Sequence, residues 1–129
     1  MGEAVLTASN GFRLSICDEI EGGRYALVSL ASCIGAAAKN IYGLEMSALC
    51  TDLKALHANL SGAAEMEALE ADFGIRFEVG PRGGIAIQAW LADLDHATKF
   101  HVSAQIDQSY IPAFIRDAGA LNFRSVMDV

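Results

Sequence analysis

The stretch KFHVSAQIDQSYIPAFIRDAGAL, residues 99–121, decides the fold. Phe100, Val102, Ala104 and Ile106 alternate with Lys99, His101, Ser103 and Gln105, which predicts a strand with one apolar and one wet face. The strand ends in Asp107-Gln108-Ser109-Tyr110, and the period then changes from two to between three and four. Ile111, Phe114, Ile115, Ala118 and Leu121 fall on one helical stripe. Ser109 suits an N-cap and puts Pro112 in the first turn, where its missing N–H costs nothing. The Asp107 carboxylate at the corner is placed to accept backbone N–H groups of the following turn, a structural junction formed with Gln108 and Ser109. Gly119 should loosen the last helical turn by up to about 1 kcal/mol relative to Ala.

The same pattern occurs upstream. Ile75, Phe77 and Val79 alternate with Arg76 and Glu78, Gly80-Pro81-Arg82-Gly83-Gly84 turns the chain, and Ile85 to Ala92 returns as a second arm. Asp93 to Thr98 reads as a polar loop. Before this hairpin, Met46, Leu49, Leu53, Leu56 and Leu60 form one helical stripe that ends at Asn59-Leu60-Ser61-Gly62, with Gly62 offering a left-handed stop. Nearer the N-terminus, Asn10-Gly11 predicts a tight turn between Ala4–Ala8 and the alternating Phe12-Leu14-Ile16. Arg24 to Ser32 is apolar on both sides, as in an interior strand. The expected class is α+β: antiparallel meanders and two amphipathic helices in the order β-β-β-α-β-β-β-α. We expect a single domain over residues 1–129, with 1–3 and 124–129 as frayed ends; no repeat or linker divides the chain.

Nine Lys and Arg against sixteen Asp and Glu leave a net charge of −7, which disfavours direct contact with nucleic acid and favours basic protein surfaces. The acidic surplus could also serve solubility alone. At 53% hydrophobic and 19% charged, the chain must hide much apolar surface in a core, a homodimer interface or a docking face. Three cysteines, Cys17, Cys33 and Cys50, do not make a disulfide framework and suit a reducing, cytoplasmic compartment. The longest uncharged run, Tyr25 to Ala38, falls short of the roughly twenty residues that span a bilayer, so no membrane association is expected.

No motif assembles chemistry. Gly80 to Gly84 lacks the Lys-Ser/Thr pair and the following helix of a phosphate loop, so it reads as a turn. His57, His96 and His101 lie on a helix, a loop and a strand face without metal-ligand spacing, and no metal or cofactor is expected. Cys50 and His57 share a helix face, but two turns, or about 10 Å, separate them, too far for direct proton transfer. Asp93-Leu94-Asp95-His96 lacks the glycine and further carboxylates of a calcium loop. The densest acidic cluster is Glu65, Glu67, Glu70 and Asp72, which fits either a partner-binding patch or a charged edge strand that discourages aggregation. Trp90 and Tyr110 could anchor an interface; for Trp90, mid-strand, core packing is the expectation.

With these residues in view, the chain resembles the WapI-type bacterial immunity proteins. The resemblance rests on Met46 to Leu60, on Gly62-Ala63-Ala64-Glu65-Met66-Glu67-Ala68-Leu69-Glu70, on Gly83-Gly84-Ile85-Ala86-Ile87 and above all on Asp107-Gln108-Ser109-Tyr110-Ile111. It runs from about Asn10 to Phe123. It implies a cytoplasmic antidote made with a polymorphic toxin whose C-terminal domain is often a nuclease, acting by stoichiometric binding without catalysis. An acidic surface suits that role, because nucleases carry basic clefts and charge complementarity speeds encounter. Glu65, Glu67, Glu70, Asp72, Asp93 and Asp95 are the expected contacts with the cognate toxin domain. The competing reading, from a different class, is a small-molecule-binding or self-associating regulatory domain.

Overall fold

The computed structural model describes residues 2–68, 72–92 and 98–123. Strands β1 (Glu3–Thr7), β2 (Arg13–Ile20), β3 (Tyr25–Ser32) and β4 (Gly35–Tyr42) form one antiparallel sheet in chain order. Helix α1 (Gly43–Asn59) follows, then β5 (Ala63–Glu67), β6 (Phe73–Val79), β7 (Gly84–Ala92) and β8 (Lys99–Asp107) form a second sheet, also in chain order. Helix α2 (Ile111–Gly119) closes the chain. The class is α+β as expected, with one further strand on each side of α1. The sequence of β4, Gly-Ala-Ala-Ala-Lys-Asn-Ile-Tyr, has little alternation to betray it. Four strands followed by a helix therefore occur twice in succession, although no sequence repeat marks the two halves.

Asn10 and Gly11 both take positive φ, 59° and 69°, which sets the β1–β2 turn. A side chain at Gly11 would also bring a Cβ to 2.9 Å from the Cys33 backbone nitrogen, so glycine is needed there twice over. At the far turn, Gly80 N–H bonds Gly84 O at 2.8 Å, and Gly83, at φ 81°, completes the β6–β7 hairpin.

Alternation places Leu14, Ile16, Val28 and Leu30 of the first sheet, and Phe73, Phe77, Ile85 and Ile87 of the second, in one buried cluster. Met46, Leu49, Cys50, Leu53 and Leu56 of α1 and Ile111, Phe114, Ile115 and Ala118 of α2 join it. The two helices pack on each other, α1 also against β3, β4 and β5, and α2 against β1. Leu60 departs from the predicted stripe. It is half-exposed and itself takes the left-handed position (φ 50°) that ends α1, donating its N–H to Leu56 O at 2.8 Å. Gly62, also at positive φ, lies beyond the helix end in the approach to β5.

At the β8–α2 corner, Asp107 Oδ1 accepts the Ser109 N–H at 2.9 Å and caps a 3-10 turn over Gln108–Tyr110 that leads into α2. The capping side chain is thus Asp107, with Ser109 supplying the capped N–H. A second carboxylate ties the chain ends. Asp18, buried, accepts the N–H of Gly2 at 3.0 Å and of Asn122 at 2.7 Å.

Candidate functional site

The outer face of the second sheet is built by strand register. One row across the strands is Glu65, Arg76, Gln88 and Ser103, and the next is Glu67, Gly74, Trp90 and His101. Because side chains alternate, all of these except Gly74 project on the side away from Ile75, Phe77, Ile87 and Ala89, which are buried.

Trp90 is therefore not a core residue. It has the same parity as Ala86 and Gln88, so β7 turns it outward, where it is half-buried. Its indole lies over Gly74: a Cβ on that glycine would come to 2.4 Å from Trp90 Nε1. The missing side chain is what lets the ring lie flat on the sheet. Lys99 Nζ sits 4.3 Å from the ring centroid, a cation–π contact on the exposed side.

Glu67 shares the indole's row, Glu65 stands one row away and Glu78 two. Arg76 bonds Glu65 at 2.6 Å through Nη1 and Glu78 at 2.5 Å through Nη2. The Glu78 bond first and the Glu65 bond second hold its guanidinium above the ordinary arginine range. All three side chains are exposed, so this bridge orders the face and contributes little to stability. Glu67 is exposed and makes no ion pair among the described residues. A cleft of about 190 Å³ lies here, lined by Glu65, Glu67, Arg76, Gln88, Trp90 and His101.

The six acidic contact candidates separate. Glu65 and Glu67 stand together on this face. Glu70, Asp93 and Asp95 lie outside the described residues. Asp72 is buried, and its Oδ2 is 3.4 Å from Lys39 Nζ, which also donates to Ala92 O at 3.1 Å. Its neighbour across the gap is β4, so Asp72 joins the two sheets and is not offered to a partner. It also lines a cavity of about 230 Å³ with Asn40, Glu45 and the stacked Tyr25 and Tyr42, whose ring centroids are 5.6 Å apart.

No three His, Cys, Asp or Glu side chains among the described residues gather as metal ligands. The Cys50 thiol is buried, and burial pushes its pKa up against the smaller pull of Lys54, so it stays protonated and unreactive at neutral pH. No described helix is long and apolar enough to cross a membrane.

A family model described as the Immunity protein WapI-like family matches residues 42–121, well over half of the chain. The chain belongs to this family. The match spans α1, the whole second sheet and α2, and so includes the face around Trp90. It starts at the last residue of β4, later than the resemblance near Asn10 had suggested, and the rest of the first sheet lies outside it. No curated protein matches the chain. Among solved structures, one described as crystal structures of Trypanosoma bruciei MRP1/MRP2 superposes with a TM-score of 0.53 at 11% identity, covering 91% of this chain and 79% of that chain. The likeness is one of fold: this immunity family member shares an architecture with that protein across almost its whole length.

Gly74, Arg76 and His101 were not among the contacts the sequence marked, and Trp90 was named as a possible interface anchor with core packing as the expectation. The signal was present in the pairing of Ala86-Gln88-Trp90 with Glu78-Arg76-Gly74 across the β6–β7 hairpin, which fixes one shared face.

Proposed function

We propose that the chain neutralises the C-terminal domain of a cognate polymorphic toxin, a basic nuclease domain, by forming a stoichiometric complex in the bacterial cytoplasm. It makes and breaks no bonds itself. The observation that carries this reading is the outer face of the second sheet, where Glu67, in the row of Trp90, and Glu65, one row away, stand beside a half-buried Trp90 on an antiparallel support. A large aromatic at the centre of a patch supplies buried area on docking, and carboxylates around it steer a basic partner to the patch. Family membership supports the immunity role; the chain's net charge of −7 and Glu67 on this face, unpaired among the described residues, support a basic target.

The small-molecule alternative is less well served. The cavity beside Asp72 holds about 230 Å³, below the range of about 300 to 1,000 Å³ usual for ligand pockets, and the larger hollows of about 310 to 480 Å³ among the described residues are shallow and open to solvent.

Co-expression with the toxin encoded beside the gene tests the proposal. A complex that survives gel filtration at physiological salt is expected, and Trp90→Ala together with Glu67→Lys should weaken it at least tenfold while the variant keeps the wild-type circular dichroism. Full-strength binding by that folded variant would remove this face from the interface.

A further inference from the structure

Among the described residues strand β4 is an open edge, and its first half, Gly35 to Ala38, carries none of the usual guards. Edge strands present unpaired N–H and C=O groups, and proteins cover them or flank them with charge, proline or short length. The other three edges are protected. β1 has five residues and packs against α2; β5 has five residues, packs against α1 and carries Glu65 and Glu67; the β8 edge is capped where Gln105 N–H donates to Ser9 Oγ at 2.8 Å. β4 has eight residues, and its free end reads Gly35-Ala36-Ala37-Ala38.

The two-residue turn at Cys33–Ile34 makes Ser32 and Gly35 the first bonded pair of the β3–β4 ladder. Bonded pairs then recur at Ala37 and Lys39, so Ala36, Ala38 and Asn40 direct their backbone groups toward the open side. All three residues are exposed. Beside them run shallow, mostly apolar hollows of about 360 and 480 Å³, one lined by Arg13, Ser29, Leu30, Ala31 and Ala36 to Ala38, the other by Ala37 to Lys39, Leu91, Ala92, Thr98 and Phe100. Ile34, at the turn, is 84% exposed.

We infer that β4 pairs antiparallel with β4 of a second copy of this chain, joining the two first sheets into one eight-stranded sheet. Backbone groups in this alternation accept only an extended strand. An antiparallel strand edge is self-complementary about a two-fold axis: centred on Ala38, the pairing sets Ala36 opposite Asn40 of the second copy. Charge selects the same occupant. Each chain carries −7, so two copies repel unless they meet where negative charge is lacking; the run Tyr25 to Ala38 contains no charged residue, and Lys39 in the paired stretch is positive and held by Asp72. A basic toxin domain is drawn instead to the carboxylates of the other sheet. The methyl groups of Ala36 to Ala38 let a second backbone approach closely and offer no side chain keyed to a foreign sequence. This inference goes beyond the toxin-binding proposal and shares no residue with the face assigned to it.

Sedimentation equilibrium of the full chain at about 50 µM decides it, since self-association depends on protomer concentration. The expected mass is about 27 kDa, twice the 13.7 kDa of one chain. Ala38→Pro removes an N–H that faces the open edge and leaves the β3–β4 ladder intact, and it should sediment as a monomer with unchanged circular dichroism. Ala36→Lys, which places a charge on the same edge without touching the backbone, should do the same and stands in if the proline variant fails to fold. A monomeric wild type overturns the inference, as does a dimer that both variants leave intact. A monomeric wild type whose toxin complex is lost in these variants would assign the edge to a strand of the toxin instead.

Discussion

Lys39 and Asp72 make the most consequential polar contact between the two sheets, and breaking it should show what Asp72 is for. At 3.4 Å the attraction of the pair is about 5 kcal/mol for an effective dielectric near 20, before desolvation is subtracted. Asp72 is almost fully buried and the Lys39 side chain is 19% exposed, so much of that attraction offsets the loss of water. Removing one partner is costlier than removing both, because the survivor keeps its desolvation penalty. Asp72→Asn should therefore cost about 2 to 3 kcal/mol, a fall in thermal midpoint of roughly 10 °C for a domain of this length. The double variant Lys39→Met with Asp72→Asn should lose clearly less than the sum of the two single variants, giving a coupling of about 2 kcal/mol or more in a double-mutant cycle. Urea titrations of the four proteins supply the cycle. An Asp72→Asn protein with wild-type stability and weakened toxin binding would refute the reasoning and return Asp72 to the contact surface.

Three further outcomes follow from the local geometry. Asp107→Ala should lower the thermal midpoint by a few degrees and leave toxin affinity unchanged, because its carboxylate holds the Ser109 N–H; calorimetry of the variant alone and with toxin separates the two effects. Burial pulls the Asp18 carboxyl upward, but the Asn122 and Gly2 N–H groups outweigh it and hold its pKa below the ordinary 3.8. The stability this contributes is complete above that value and is withdrawn as pH falls through the lower folded value, so Asp18→Asn should flatten the acid limb of a stability-against-pH curve. Leu60→Gly relieves a left-handed residue at φ 50° and should raise stability by about 1 kcal/mol, read from the denaturant midpoint.

Much of the fold was legible because its elements obey simple periods. The alternation in β6, β7 and β8, the stripes of α1 and α2 and the corner at Asp107 all follow from spacing and turn chemistry. β4 was hidden because alanine and glycine fit helix, strand and loop alike, and its place is set by pairing with β3 through the turn at Cys33–Ile34. Trp90 was misplaced for a different reason. A large aromatic mid-strand is usually core, yet here Gly74 opposite it makes a seat on the wet face, a fact of cross-strand register and not of composition. Asp72 sits near Glu67 in sequence, but the approach of β4 from the other sheet turns its charge inward, and no local pattern announces a partner as distant as Lys39.

The central claim is inhibition by occupation, and titrating the toxin with the purified chain tests it most directly. Toxin activity should fall linearly and vanish at one chain per toxin, with the same ratio in calorimetry. Complete loss of activity at a small fraction of an equivalent, leaving altered toxin behind, would mean that the chain turns over and would contradict the account.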